Sequence, residues 1–151
     1  MSVQEQVALR VSRRFAAPPE RVFDAWTNPE VLRRWWAAGP QFETTFVEVD
    51  PRPGGRYRLT MRDGESGEEH TVGGEYTEVT PPERLVYTWT WESNPEAMAG
   101  SAGSVVVVDF RPDGDGTEVV VTHSGFATPE IRDLHAHGWE GCLDSLERAL
   151  A

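Results

Sequence analysis

The last third of the 151-residue chain limits its architecture most tightly. Val121-Thr122-His123-Ser124-Gly125-Phe126 closes a β-rich run, Thr128-Pro129-Glu130 carries a helix start signal, and one long helix follows with Gly138-Trp139 at its centre. Along that helix Ile131, Leu134, Trp139, Cys142, Leu143, Leu146, Ala149 and Leu150 make a broad apolar stripe. Gly138, Cys142 and Ser145, with Gly141 beside them, make a strip of small side chains. A glycine inside a helix costs about 1 kcal/mol relative to alanine. Either the helix approaches a sheet closely there, or it leaves room for a guest.

The rest of the chain supplies the sheet. Residues 6–15 alternate loosely and read as a strand. Pro18-Pro19-Glu20 and Thr27-Asn28-Pro29-Glu30 then open two short consecutive helices, carrying Val22, Phe23 and Trp26, and Val31, Leu32, Trp35 and Trp36. From Phe42 the period becomes two. Strands are predicted over 42–49, 56–62, 70–79 (weakened or bulged at Gly73-Gly74), 85–92, 104–111 and 117–123. In the second of these Tyr57, Leu59 and Met61 face one way, and three arginines with Thr60 face the other. The order β-α-α-β-β-β-β-β-β-α, with short turns, predicts an antiparallel meander wet on one face. The C-terminal helix is the only element long enough to cover the other face. The expected class is α+β: a curved antiparallel sheet of six to seven strands wrapped around that helix, in a single domain over residues 1–151.

Six tryptophans bear on the space between the layers. Tyr87, Trp89 and Trp91 share one strand face, Trp139 comes from the long helix, and Trp26, Trp35 and Trp36 come from the helix pair. A pocket lined by aromatics with a few polar tips is the usual form of a small-molecule site. About half of these rings are expected to fill the core, with Trp35 and Trp36 partly at the mouth. Tyr57, Tyr76 and Tyr87 offer phenol donors inside. His123 shares its phase with Val119 and Val121, so it is expected to point inward, either tied to a backbone carbonyl or serving as a ligand contact or general base. His135, one turn before Trp139, either contacts a guest or caps the rim. Residues 93–103 have the composition of a lid, or of a plain hairpin connection.

Motifs of known chemistry are absent: no HExxH, paired CxxC, GxxxxGK or GxSxG occurs. His135 and His137 lie two apart on a helix and point in different directions, so no metal face forms. Cys142 sits on the apolar helix face, where a buried structural thiol is expected rather than a nucleophile. Strand acids such as Glu92, Asp109 and Glu118 fall on the outward phase. Net charge is −11 and every cation is an arginine, so nucleic acid is not an expected partner. No run approaches the ~18 apolar residues of a membrane span, and one cysteine fits a reducing cytoplasm.

Several segments occur together in the order seen in a known family. They are Trp26-Thr27-Asn28-Pro29-Glu30, Trp35-Trp36, the Pro-Gly-Gly between Asp50 and Tyr57, Gly74-Glu75-Tyr76, Pro81-Pro82-Glu83-Arg84-Leu85 and Thr88-Trp89. Gly116-Thr117, His123-Ser124-Gly125-Phe126 and His135-Ala136-His137-Gly138-Trp139 complete the set. Together, from about Val7 to Leu150, they resemble the activator of Hsp90 ATPase homologue-like proteins of the START-like (SRPBCC) superfamily. The resemblance implies the helix-grip fold with a deep cavity. The superfamily includes lipid and hormone carriers, polyketide cyclases, dioxygenase subunits and self-sacrificing resistance proteins. The eukaryotic namesake stimulates a chaperone ATPase with an additional N-terminal domain, for which 151 residues leave no room, so a chaperone partner ranks last.

The expectation is a cytoplasmic small-molecule-binding protein, monomer or homodimer, without cofactor, that holds a hydrophobic or aromatic guest between sheet and helix. The candidate lining is Trp35, Trp36, Tyr57, Leu59, Met61, Tyr76, Tyr87, Trp89, Trp91, His123, His135, Gly138, Trp139 and Cys142. The alternatives are a cyclase-like or hydrolase-like enzyme using His123 and a tyrosine, and an Hsp90 ATPase regulator.

Overall fold

A computed structural model describes residues 7–37, 39–93 and 101–150 of the chain. Strand β1 (Leu9–Phe15) leads into helices α1 (Pro19–Thr27) and α2 (Pro29–Trp35). Six strands follow: β2 (Phe42–Val49), β3 (Arg56–Asp63), β4 (Glu69–Thr80), β5 (Arg84–Trp91), β6 (Ser104–Asp113) and β7 (Gly116–Ser124). Helix α3 (Pro129–Leu150) ends the chain. The helix starts follow the capping chemistry in the sequence. Asn28 accepts a hydrogen bond from the Glu30 amide at 3.0 Å, and Thr128 Oγ1 accepts one from the Ile131 amide at 3.2 Å. Proline at the first turn of each helix has no amide to satisfy there.

The strands form one curled antiparallel sheet in the order β1-β7-β6-β5-β4-β3-β2. Consecutive strands are neighbours except at β1, which returns to pair with β7, Leu9 opposite His123 and Phe15 opposite Thr117. The inner face carries Tyr57, Leu59 and Met61 from β3, Leu85, Tyr87 and Trp89 from β5, Val106, Val108 and Phe110 from β6, and Val119, Val121 and His123 from β7, all buried. This is the period-two pattern of the sequence made physical. On the outer face of β3 the arginines are exposed, and Thr60 is buried against the Thr71 hydroxyl at 2.8 Å.

Two irregularities depart from the expected register. A bulge between Thr44 and Phe46 inverts the phase of β2, so Phe46 is 41% exposed while Val47 is buried. The other bulge lies between Tyr76 and Glu78, not at Gly73-Gly74, through which β3 and β4 pair in continuous register. Those glycines serve close approach instead. A Cβ on Gly74 would overlap the Thr88 carbonyl oxygen, the same oxygen that accepts the Tyr57 hydroxyl at 2.6 Å. Gly74→Ala is expected to cost about 1–3 kcal/mol by forcing β4 from β5, read as a lower urea midpoint. An unchanged midpoint would show that the strands separate there freely.

Helix α3 lies across the inner face and buries His135, Trp139, Cys142, Leu143 and Leu146. Leu134, expected in the same stripe, is 51% exposed. At about 100° per residue it falls on the helix flank with Gly138 and Gly141, not beneath the helix. Arg13 of β1 ties α3 to the sheet edge through Glu140 (3.1 Å), Asp144 (2.6 Å) and Glu147 (3.5 Å). Helix α2 packs on β2 and α3, and α1 on β6 and β7. No helix among the described residues is long and apolar enough to cross a membrane.

Candidate functional site

Between α3 and the inner face of the sheet lies a hollow of about 450 Å³. Its walls come from elements distant in sequence. Trp36 follows α2, and the segment from Gly39 to Phe42 leads into β2. Met61 and His70 face each other across β3 and β4, and Trp89 and Trp91 come from β5. Helix α3 adds Leu134, His135, His137, Gly138, Trp139, Gly141 and Cys142, with Glu140 and Asp144. The glycine flank thus opens onto the space, while Ser145, the third member of the expected small strip, does not line it.

Four indoles define the surface. Trp89 stands edge-on to Trp91 and tilted against Trp139, with ring centres 5.5 Å apart in each pair. Their polar edges have different fates. Trp91 Nε1 donates to His135 Nε2 at 2.9 Å, and His135 Nδ1 in turn donates to the Ile131 carbonyl at 2.8 Å. Trp139 Nε1 donates to His123 Nδ1 at 3.2 Å, which leaves His123 Nε2 to donate to Ser104 Oγ at 2.8 Å. Trp89 Nε1 is buried with no hydrogen-bond partner among the described residues. An unmade bond of this kind costs about 1–3 kcal/mol.

Both histidines are held neutral. Burial, reinforced by neighbouring His135, lowers the His123 imidazole from 6.5 to about 2. Burial also lowers His135, against the opposing pull of its bond to the Ile131 carbonyl. The Cys142 thiol is pushed up to about 12 by burial, which keeps it protonated and unreactive. Among the described residues, no three His, Cys, Asp or Glu side chains gather to hold a metal ion.

The candidate residues divide into three groups. Trp36, Met61, Trp89, Trp91, His135, Gly138, Trp139 and Cys142 meet at the hollow. Tyr57, Leu59, Tyr76 and Tyr87 gather, with Trp36 and Trp89, around a separate void of about 20 Å³ deeper in the sheet. There the tyrosine rings pack on one another at 5.1–5.9 Å, with Tyr87 Oη accepting from Trp26 Nε1. The third group touches neither space. Trp35, expected partly at the mouth, is fully buried between α1 and α2, where its Nε1 donates to the Ala25 carbonyl at 2.7 Å. His123 points inward as its phase requires, but behind Trp89 and Trp139, and it bonds side chains instead of a backbone carbonyl. The loop expected as a lid falls mostly on residues 94–100, outside the described residues.

Sequence reasoning passed over Phe42, His70 and the mouth residues from Gly39 to Gln41. His70 was readable as the inward neighbour of Val72, two positions along the same strand face. Phe42 was obscured by the β2 bulge, and the loop residues carry no periodic signal.

Residues 16–151 match the family model described as activator of Hsp90 ATPase homolog 1-like protein. Solved structures similar to the chain include protein CV1439 from Chromobacterium violaceum, 27% identical, TM-score 0.83, covering 96% of this chain and 97% of that one. The AHSA1 (SPO3351) protein from Silicibacter pomeroyi is 26% identical, TM-score 0.81, over 95% and 96%. An uncharacterised protein from Rhizobium leguminosarum is 28% identical, TM-score 0.73, over 95% and 93%. No curated protein matches the sequence.

Proposed function

The chain belongs to the activator of Hsp90 ATPase homolog 1-like family, and from that premise we propose that it binds a hydrophobic or aromatic small molecule in the hollow beneath α3. The observation that carries this reading is a space of about 450 Å³ walled by four indole rings. That volume lies within the usual range for small-molecule pockets, and its walls are predominantly apolar.

The polar inventory favours binding over turnover. An acid–base catalyst needs a group near neutrality within reach of the guest. His123 lies behind the wall, both ring nitrogens of His135 are already engaged, and His70 and His137, which also line the hollow, are the imidazoles left to an enzymatic alternative. The Cys142 thiol stays protonated, and the carboxylates of Glu140 and Asp144 are drawn to Arg13.

Titration of intrinsic tryptophan fluorescence with a panel of lipids, polyketides and flavonoids tests the proposal. A saturable change with at least one compound is expected, and silence across the panel would refute it. A paired variant separates binding from stability. Gly138→Leu places a branched side chain on the flank facing the hollow, so affinity is expected to fall at least tenfold. The same change replaces a mid-helix glycine, so stability is expected to rise by about 0.5–1 kcal/mol. Full affinity in the variant would move the guest elsewhere.

A further inference from the structure

Resting on the proposed binding role, we infer that Trp89 is the specificity-determining donor of the hollow, and that the guest is an uncharged polycyclic aromatic carrying a carbonyl oxygen. Four indole N–H groups bear on the comparison, and that of Trp36 is neither bonded nor fully buried among the described residues, open to solvent with or without a guest. Those of Trp91 and Trp139 bond His135 and His123, and that of Trp89 is buried without a partner among the described residues. Buried donors in folded proteins are nearly always paired, so an orphan at the wall of a cavity marks a bond left for another molecule. Only an acceptor oxygen or nitrogen completes it.

In the free protein this N–H is closed to water as well as to protein acceptors. Trp89 borders both the main hollow and the smaller void. A small tilt of the ring then presents the N–H to a guest, against the planar surfaces of Trp91 and Trp139, which suit a flat aromatic body.

Charge narrows the class further. The lining includes Glu140 and Asp144 and no arginine, and the chain has no lysine. Arg13, which bonds both acids, meets three carboxylates with a single guanidinium, so the rim stays net negative. A carboxylate guest is repelled at that rim, and the basic groups of the lining are the imidazoles of His70, His135 and His137 alone.

The test compares 9-fluorenone with fluorene, two rings of one shape that differ by a carbonyl, and with fluorene-9-carboxylate. Each is titrated into the wild type, into Trp89→Phe, and into protein with 3-benzothienylalanine at position 89, which keeps the ring system but has sulfur in place of the N–H. Wild type is expected to bind fluorenone about tenfold tighter than fluorene, and the carboxylate more weakly than either. The fluorenone-to-fluorene ratio is expected to fall to about one in both replacements. The indole ¹H–¹⁵N signal lost in Trp89→Phe is expected to shift with fluorenone and not with fluorene. Equal wild-type affinities, or a ratio that survives both replacements, overturns the assignment of Trp89 and leaves the hollow as a binding site. Binding of none of the three overturns the aromatic carbonyl guest, while the binding role itself stands or falls with the wider panel.

Discussion

His123→Ala is expected to destabilise the fold by about 3–5 kcal/mol, the largest loss from any single change considered. The imidazole is fully buried and bonds two partners, so truncation acts in three ways. It opens a cavity against Trp89 and Phe126, whose ring centres lie 5.2 and 4.4 Å away. It strands the Trp139 N–H. It also leaves the Ser104 hydroxyl with only a long contact to the Trp89 carbonyl. The effect should extend to the hollow, because Trp139 forms part of its wall and loses the bond that orients it. Urea unfolding reads the stability, and the indole signal of Trp139 reads the orientation. A loss below about 1 kcal/mol with that signal unmoved would show the histidine to be mere filling. The same variant tests the enzymatic alternative: a histidine sealed behind two indoles cannot exchange protons with a guest, so any turnover it abolished would be lost through misfolding.

Acid lability is the second large effect. In the unfolded chain the His123 imidazole takes up its proton near 6.5, whereas in the folded protein it stays neutral down to about 2. Below pH 6.5 the unfolded state therefore holds more protons, and stability falls as pH falls. The slope approaches 1.4 kcal/mol per pH unit for one such group, so His123 alone removes about 2.7 kcal/mol between neutrality and pH 4.5. His135, lowered as well, adds to the loss with the same sign. Urea midpoints measured from pH 7.5 to 4.5 should fall steadily below 6.5, and His123→Gln should flatten the curve by about one proton. Stability that holds constant to pH 4.5 would mean that both rings are protonated without penalty in the native state.

Much of the architecture was legible because it follows from period and punctuation. The alternation Tyr57, Leu59, Met61 and Leu85, Tyr87, Trp89 identified the buried face, and Asn28-Pro29-Glu30 and Thr128-Pro129-Glu130 marked helix starts that the caps verify. Errors arose where one residue changed the count. The bulge after Thr44 reversed β2 and hid the inward phase of Phe42, while Leu134 looked apolar enough for the stripe but sits about a quarter-turn or more from its centre. The site was less legible for a different reason. Periodicity says that Trp35, Trp89 and Trp139 are buried, but it does not say what each indole N–H meets. That depends on Ala25 for Trp35 and His123 for Trp139, partners 10 and 16 residues away that packing between elements brings into reach.

The return of β1 to pair with β7 shapes how the molecule comes into being on the ribosome. Leu9 finds its place opposite His123 only after more than a hundred further residues have been made, and Arg13 meets Glu147 later still. Until then the nascent β1 has no strand partner, and Leu9 and Phe15 stay uncovered. Such distant pairing slows folding relative to local contacts. Synthesis must therefore pass β7 before the first strand is paired, and a polypeptide cut short before residue 117 leaves that strand without a mate.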